Sequence, residues 1–114
     1  MLNTTFFDVN GVRLRVVDAG PEDGPVVVLA HGFPELAFSW RHQIPALATA
    51  GYRVLAPDQR GYGGSSCPDD VAAYDITELT GDLVGLIDAV GAERAAIVGH
   101  DWGATVAWSV PLFH

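Results

Sequence analysis

The run Ala95-Ala96-Ile97-Val98 ends on Gly99, and a helical pattern begins just past Gly103. Four apolar residues without polar alternation read as a strand buried on both faces, which is the habit of parallel sheets covered by helices. The two glycines allow the chain to turn sharply from strand to helix. Side chains at either end would collide with the elements being joined, and the residue between them, Asp101, takes a strained backbone. Such a corner lifts the Asp101 side chain above the sheet edge at a helix N-terminus, where backbone N–H groups point outward.

This is the small-x-nucleophile-x-small spacing of a nucleophile elbow, with aspartate where serine hydrolases carry serine. A carboxylate is ionised at neutral pH and needs no general base to attack. Attack on saturated carbon gives an ester that a His-activated water can cleave, whereas a serine alkylated there becomes an inert ether. Asp101 therefore points to a substrate with an electrophilic sp3 carbon, such as an epoxide or an organohalide. The plain alternative is that Asp101 only caps the helix after it.

The remaining chain supplies the frame. Residues 4–9 and 12–18 are β-rich and flank Asn10-Gly11, the strongest short signal for a two-residue hairpin turn. Val12, Leu14 and Val16 alternate with Arg13 and Arg15, giving one buried and one wet face. Val26 to Ala30 is a second unbroken apolar run, ending at His31-Gly32-Phe33-Pro34-Glu35. The pattern predicts a helix over Ser39 to Ala50, kinked or split at Pro45, then a strand over Arg53 to Ala56. A glycine-rich loop from Asp58 to Ser66 follows. Ile76 to Val90 reads as a helix opened by Asp75 and Glu78 in a capping box, with Leu79, Leu83 and Leu86 on its apolar face. Pro111 is awkward in the last helix, since its ring crowds the Ala107 carbonyl. A hairpin followed by three strand–helix units calls for an α/β fold with a mostly parallel sheet.

Composition narrows the function classes. A net charge of −8 over 114 residues disfavours nucleic-acid and anionic-membrane partners. No apolar run approaches the ~18 residues of a membrane-spanning helix, and the N-terminus lacks signal-peptide character. The single Cys67 excludes an internal disulfide and fits a reducing, cytoplasmic setting; it reads as an incidental loop thiol. No histidine pair has ligand spacing, so no metal is expected. The Gly61–Ser66 loop lacks the ending of a phosphate loop.

Three segments, each at the end of a predicted strand, resemble the α/β-hydrolase fold and within it the epoxide hydrolases. They are His31-Gly32-Phe33-Pro34-Glu35 with Ser39-Trp40-Arg41, Asp58-Gln59-Arg60-Gly61-Tyr62-Gly63-Gly64-Ser65, and Gly99-His100-Asp101-Trp102-Gly103. The resemblance implies that Asp101 is the nucleophile opening an epoxide without a cofactor, and that the Phe33 and Trp102 backbone N–H groups form an oxyanion hole. It implies a cis Phe33–Pro34 peptide, and a substrate pocket walled by Phe33, Pro34 and Trp102. Simple core packing is the plain alternative for the Phe33 and Trp102 side chains. His31 and His100 read as structural, and His114 is too far along its helix to reach back to Asp101.

The resemblance also implies a longer protein, of which residues 1–114 are the incomplete N-terminal part of the core domain. The later strands, a lid with two tyrosines, a supporting acid and the base histidine are not in this sequence. Such a piece is expected to expose the apolar edge of the strand at 95–98, and to be unstable and unable to turn over alone. A haloalkane or haloacid dehalogenase shares the aspartate and the first step. Phe33 and Glu35 favour epoxides over it, because an asparagine that binds halide is more usual at position 33 in haloalkane dehalogenases. A binding protein keeping the fold without the chemistry is the third reading. The implied ligand is a small epoxide; the sequence does not give the oligomeric state.

Overall fold

The computed structural model describes residues 2–114. Strands β1 (Leu2–Val9) and β2 (Val12–Ala19) form an antiparallel hairpin in which Val9 faces Val12. Its turn residues Asn10 and Gly11 have φ of 50° and 78°, the left-handed pair of a type I′ turn. Strands β3 (Val26–Ala30), β4 (Arg53–Pro57) and β5 (Ala95–Gly99) complete a five-stranded sheet in the order β1-β2-β4-β3-β5. β2 meets β4 antiparallel, while β3 runs parallel to both β4 and β5.

The sheet has a hydrophobic layer on each face. Val26, Val28 and Ala30 of β3 join Leu14, Val16 and Leu55 beneath Leu79, Leu83 and Leu86 of helix α2 (Ile76–Ala89) and Val106 of helix α3 (Trp102–Phe113). Val27 and Leu29 point the other way and pack with Val54, Ala56 and Ile44 of helix α1 (Gln43–Thr49). β3 thus has every residue buried, which explains its unbroken apolar sequence.

The chain leaves β3 for β4 through α1 on one face, then passes back over β3 to β5 through α2 on the other. The ends of β3 and β5 therefore flank a point where the direction of winding reverses, which is where open α/β sheets leave a crevice for ligands.

Several sequence expectations change in detail. The helix predicted from Ser39 is split into a 3₁₀ turn, Ala37–Trp40, and α1. Pro45 is the third residue of α1, where a missing N–H costs no helical bond. Asp75 caps α2 by accepting from the Thr77 N–H at 3.0 Å, but Glu78 does not reach back to close a capping box. Its Oε1 accepts instead from Asn10 Nδ2 at 3.2 Å. α3 runs through Pro111 to Phe113, because a proline this close to the C-terminus deprives only the Ala107 carbonyl of its donor. Finally, β5 is not buried on both faces. Ile97 and Ala95 are half-buried against the helices, but Ala96 and Val98 are exposed, and among the described residues β5 pairs with β3 alone.

No helix of the described residues is long and apolar enough to cross a membrane.

Candidate active site

β5 ends at Gly99 and α3 starts at Trp102, leaving Asp101 at the corner with φ 58° and ψ −124°. That combination is sparsely populated by any residue with a Cβ and persists only when its surroundings enforce it. The flanking glycines do so. A Cβ on Gly99 would strike Ala104 Cα and the Gly103 carbonyl, and one on Gly103 would strike the carbonyls of Ala30 and His31. The corner is therefore pressed against both its own helix and the end of β3.

Asp101 makes no side-chain cap to α3, so the capping alternative fails. Its Oδ2 instead accepts a hydrogen bond from the Phe33 backbone N–H at 3.2 Å. The neighbouring Trp102 N–H and the Phe33 N–H together hold the carboxyl below its ordinary range, although only the Phe33 contact is an aligned hydrogen bond. The Phe33–Pro34 peptide is cis. The side chains of Phe33 and Trp102 are 69% and 44% exposed, which removes core packing as their explanation.

The strand-end residues fix these donors. His31 is buried, and its Nε2 accepts from the Gln59 N–H at 2.9 Å, so the proton sits on Nδ1, 2.9 Å from the Gly32 carbonyl. Burial pushes this imidazole below its ordinary pKa. Gln59 Nε2 returns a bond to the His31 carbonyl at 2.7 Å. Glu35 folds back so that Oε1 accepts from the Gly32 N–H at 3.0 Å and lies 3.4 Å from His100 Nδ1. The Gly32 N–H, aided by His100, lowers the Glu35 pKa. His31 and His100 are thus both held in strand-end contacts, and His114 Nε2 lies 3.1 Å from Thr80 Oγ1, away from the corner.

The glycine-rich loop is anchored from below. Buried Asp58 accepts from the N–H groups of Ala37 at 2.9 Å and Gly64 at 3.1 Å, and pairs with Arg15 at 3.3 Å. Arg60 binds both Asp82 oxygens at 3.0 and 2.8 Å, and donates to the Ala73 and Asn10 carbonyls. Between these anchors the loop raises Tyr62, whose ring stands edge-on to His31 with centroids 4.8 Å apart. Desolvation and the nearby Asp101 charge push the Tyr62 phenol up.

Asp101 opens into a cleft of about 550 Å³ lined by Phe33, Tyr62, Trp102 and Thr105. Phe33 and Trp102 line it as the sequence implied; Pro34 is exposed nearby but is not part of the lining. Tyr62 and Thr105 were not singled out by sequence. Thr105 had a usable signal, since it stands four residues after Asp101 and shares its side of the helix. Tyr62 lay within the resemblance-bearing segment Asp58–Ser65 but had no chemical signal of its own.

A model of the α/β hydrolase fold matches residues 25–114. The chain belongs to the α/β-hydrolase fold family. The chain is 75% identical over 107 residues to epoxide hydrolase A of Mycobacterium tuberculosis, covering 94% of the chain and 33% of that relative. It is 60% identical over 106 residues to epoxide hydrolase B of the same organism, covering 91% and 30%. The crystal structure of epoxide hydrolase A from Mycobacterium thermoresistibile superposes with a TM-score of 0.95 at 64% identity, over 96% of the chain and 34% of that structure. The chain thus spans about a third of the length of these two curated relatives.

Proposed function

We propose that this chain carries the nucleophilic half of an epoxide hydrolase, as the N-terminal part of its core domain, and that the Gly99–Gly103 corner is a nucleophile elbow. The carrying observation is the Asp101 carboxylate, held in a strained corner, open to a cleft, and donated to by the Phe33 N–H. The high identity to epoxide hydrolases of Mycobacterium tuberculosis supports the same reading.

In the first step an Asp101 oxygen attacks an epoxide carbon. An ester C–O bond forms, the epoxide C–O bond breaks, and its electron pair stays on the epoxide oxygen, which takes a proton. In the second step water adds to the ester carbonyl. The negative charge that develops falls beside the N–H groups of Phe33 and Trp102, the donors of the oxyanion hole, before the diol leaves and the carboxylate is restored. Asp101 needs no activation for the first step. The second needs a base, and neither His31, buried between Gln59 and Gly32, nor His114, beside Thr80, is free for that work. The base histidine and lid tyrosines of the family would come from outside these 114 residues. The substrate is a small epoxide, no cofactor takes part, and the acidic, single-cysteine sequence suits the cytoplasm.

The test is single turnover in ¹⁸O-water, using protein expressed from its complete coding sequence. One heavy oxygen should enter the Asp101 carboxylate in the first turnover and reach the diol only in later ones. An unlabelled Asp101 beside formed diol would end the covalent mechanism. Supplying 1-chlorobutane in parallel, with halide release as the readout, separates the dehalogenase reading.

A further inference from the structure

The hairpin turn between β1 and β2 lies against the first turns of α2. Asn10 Nδ2 is 3.0 Å from the Glu78 carbonyl, 3.2 Å from Glu78 Oε1 and 3.0 Å from Asp82 Oδ1. Three acceptors face one end of the amide, so that end is the nitrogen, whose two protons are shared among them. Gly81 makes room for it, since a Cβ there would lie 2.9 Å from Asn10 Nδ2. A glycine inside a helix costs about 1 kcal/mol relative to alanine, and here it admits the amide. We propose that Asn10 is a deamidation site, held unreactive by this clamp on α2, and that its conversion to a carboxylate breaks the clamp that had prevented it.

The residue after Asn10 makes the reaction available. Gly11 has no side chain to shield its backbone nitrogen, and asparagine is among the thermolabile residues. The Gly11 nitrogen attacks Asn10 Cγ. A C–N bond forms and closes a cyclic imide, the Cγ–Nδ2 bond breaks, and Nδ2 leaves as ammonia with its own two protons and the one from the Gly11 nitrogen. Water then opens the imide at either carbonyl, giving aspartate or isoaspartate. In the folded turn the backbone is fixed with φ of 50° at Asn10 and 78° at Gly11, and the amide is drawn toward α2. Turning Cγ onto Gly11 means breaking the hydrogen bonds to α2, including those to carboxylates.

The product does not fit where the amide sat. A carboxylate at position 10 has no proton for the Glu78 carbonyl, and it would meet Glu78 Oε1 and Asp82 Oδ1, three carboxyl groups where two stood. Burial pushes the Asp82 carboxyl up, against the bonds from Arg60 and Asn10 that draw it down. Arg60 also donates to the Asn10 carbonyl at 3.3 Å, so a displaced turn is felt at the anchor of the loop that carries Tyr62. One opening long enough for the imide to form therefore leaves a clamp that no longer closes.

The experiment holds protein expressed from its complete coding sequence at mildly alkaline pH, in buffer and in guanidinium chloride, and follows conversion at position 10 by peptide mass spectrometry. The denatured chain should convert at least about tenfold faster, the factor for one hydrogen bond to a charged group. Glu78→Ala removes one acceptor and should raise the rate in buffer about threefold while leaving the denatured rate unchanged. Asn10→Asp should lower the urea midpoint further than Asn10→Gly, which keeps the turn and loses the same bonds without adding charge. If Asn10→Asp does not fold by circular dichroism, the Glu78→Ala rates decide. The proposal is overturned by no conversion in guanidinium, by equal rates in buffer and denaturant, or by a Glu78→Ala rate in buffer no higher than that of the unaltered protein. An Asn10→Asp midpoint at or above that of Asn10→Gly overturns it as well.

Discussion

The Phe33 backbone N–H donates to Asp101 Oδ2 at 3.2 Å, joining residues 68 apart in sequence across the ends of two adjacent parallel strands. One donor therefore stabilises the carboxylate at rest and lies beside the site where the ester carbonyl would form. A group bound too tightly to its donors would be a poor nucleophile, so a single aligned bond is a workable compromise between holding the carboxylate ionised and leaving a lone pair free.

The first prediction concerns pH. The Trp102 and Phe33 N–H groups keep the folded Asp101 pKa below its ordinary 3.8. The rate of ester formation at Asp101 should fall to half its neutral-pH value only below pH 3.8, as the pH drops through the depressed value. The sign is that of any lowered carboxyl: the ionised form is favoured in the folded state, present above the unfolded pKa and lost below the folded one. Initial adduct rates across a pH series check it. A decline centred above pH 3.8 would be the wrong sign.

The second is a separation of stability from chemistry. Asp101 pays for its position with a backbone that glycine adopts freely. Asp101→Gly should raise the thermal midpoint by a few degrees while abolishing adduct formation. Differential scanning calorimetry beside the labelling assay reads both, and a lowered midpoint would show that the carboxylate's bond to Phe33 outweighs the strain.

His31 gives the third. It is buried and neutral, with its pKa lowered by desolvation against a reference of 6.5. Between the folded pKa and 6.5 the unfolded chain binds more protons, so stability should fall as the pH drops through that window and level off beneath it. His31→Ala removes this slope and costs about 2–4 kcal/mol at pH 7, because it leaves the Gln59 N–H without its acceptor and a cavity beside Tyr62. Urea midpoints at pH 5 and pH 7.5 for both proteins test the two claims together.

The fourth tests the Arg60–Asp82 pair, whose side chains are 4% and 5% exposed. Removing one partner, as in Arg60→Met, should cost about 3–5 kcal/mol by stranding a buried carboxylate, while Arg60→Met with Asp82→Leu should recover much of the loss. A double-mutant cycle in urea measures it. Equal losses in the single and double variants would show that the bonds from Arg60 to the Ala73 and Asn10 carbonyls matter more than the charge.

Much of the frame was legible because local chemistry and tertiary position agree. Asn10-Gly11 asks for a tight turn, the unbroken run of β3 asks for two covered faces, and the Gly99–Gly103 spacing asks for a corner, and each is met. The α/β class followed from these, whereas the convergence of Phe33 and Trp102 on Asp101 was implied by the resemblance to epoxide hydrolases. What escaped depends on contacts between distant segments. Glu78 looked like half of a capping box, but Asn10, 68 residues earlier, claims its carboxylate. Ala96 and Val98 looked buried because β5 has the sequence of an interior strand, yet here it lies at the sheet's edge. Strand order, and the place of Tyr62 in the lining of the cleft, arise only when the loop after β4 is laid over the end of β3.

The one-sided attachment of β5 has a dynamic corollary. Beyond its ladder to β3, the corner bearing Asp101 is tethered by the packing of α3 and the bonds from Phe33 and Glu35, whereas β3 is gripped by a strand along both margins. Amide protons of Ala96 and Val98 should therefore exchange with solvent well before those of Val27 and Leu29, so that the Asp101 carboxylate rides on the most readily opened seam of the sheet's parallel half, and a neighbour zipped along that margin would slow its exchange and steady its aim.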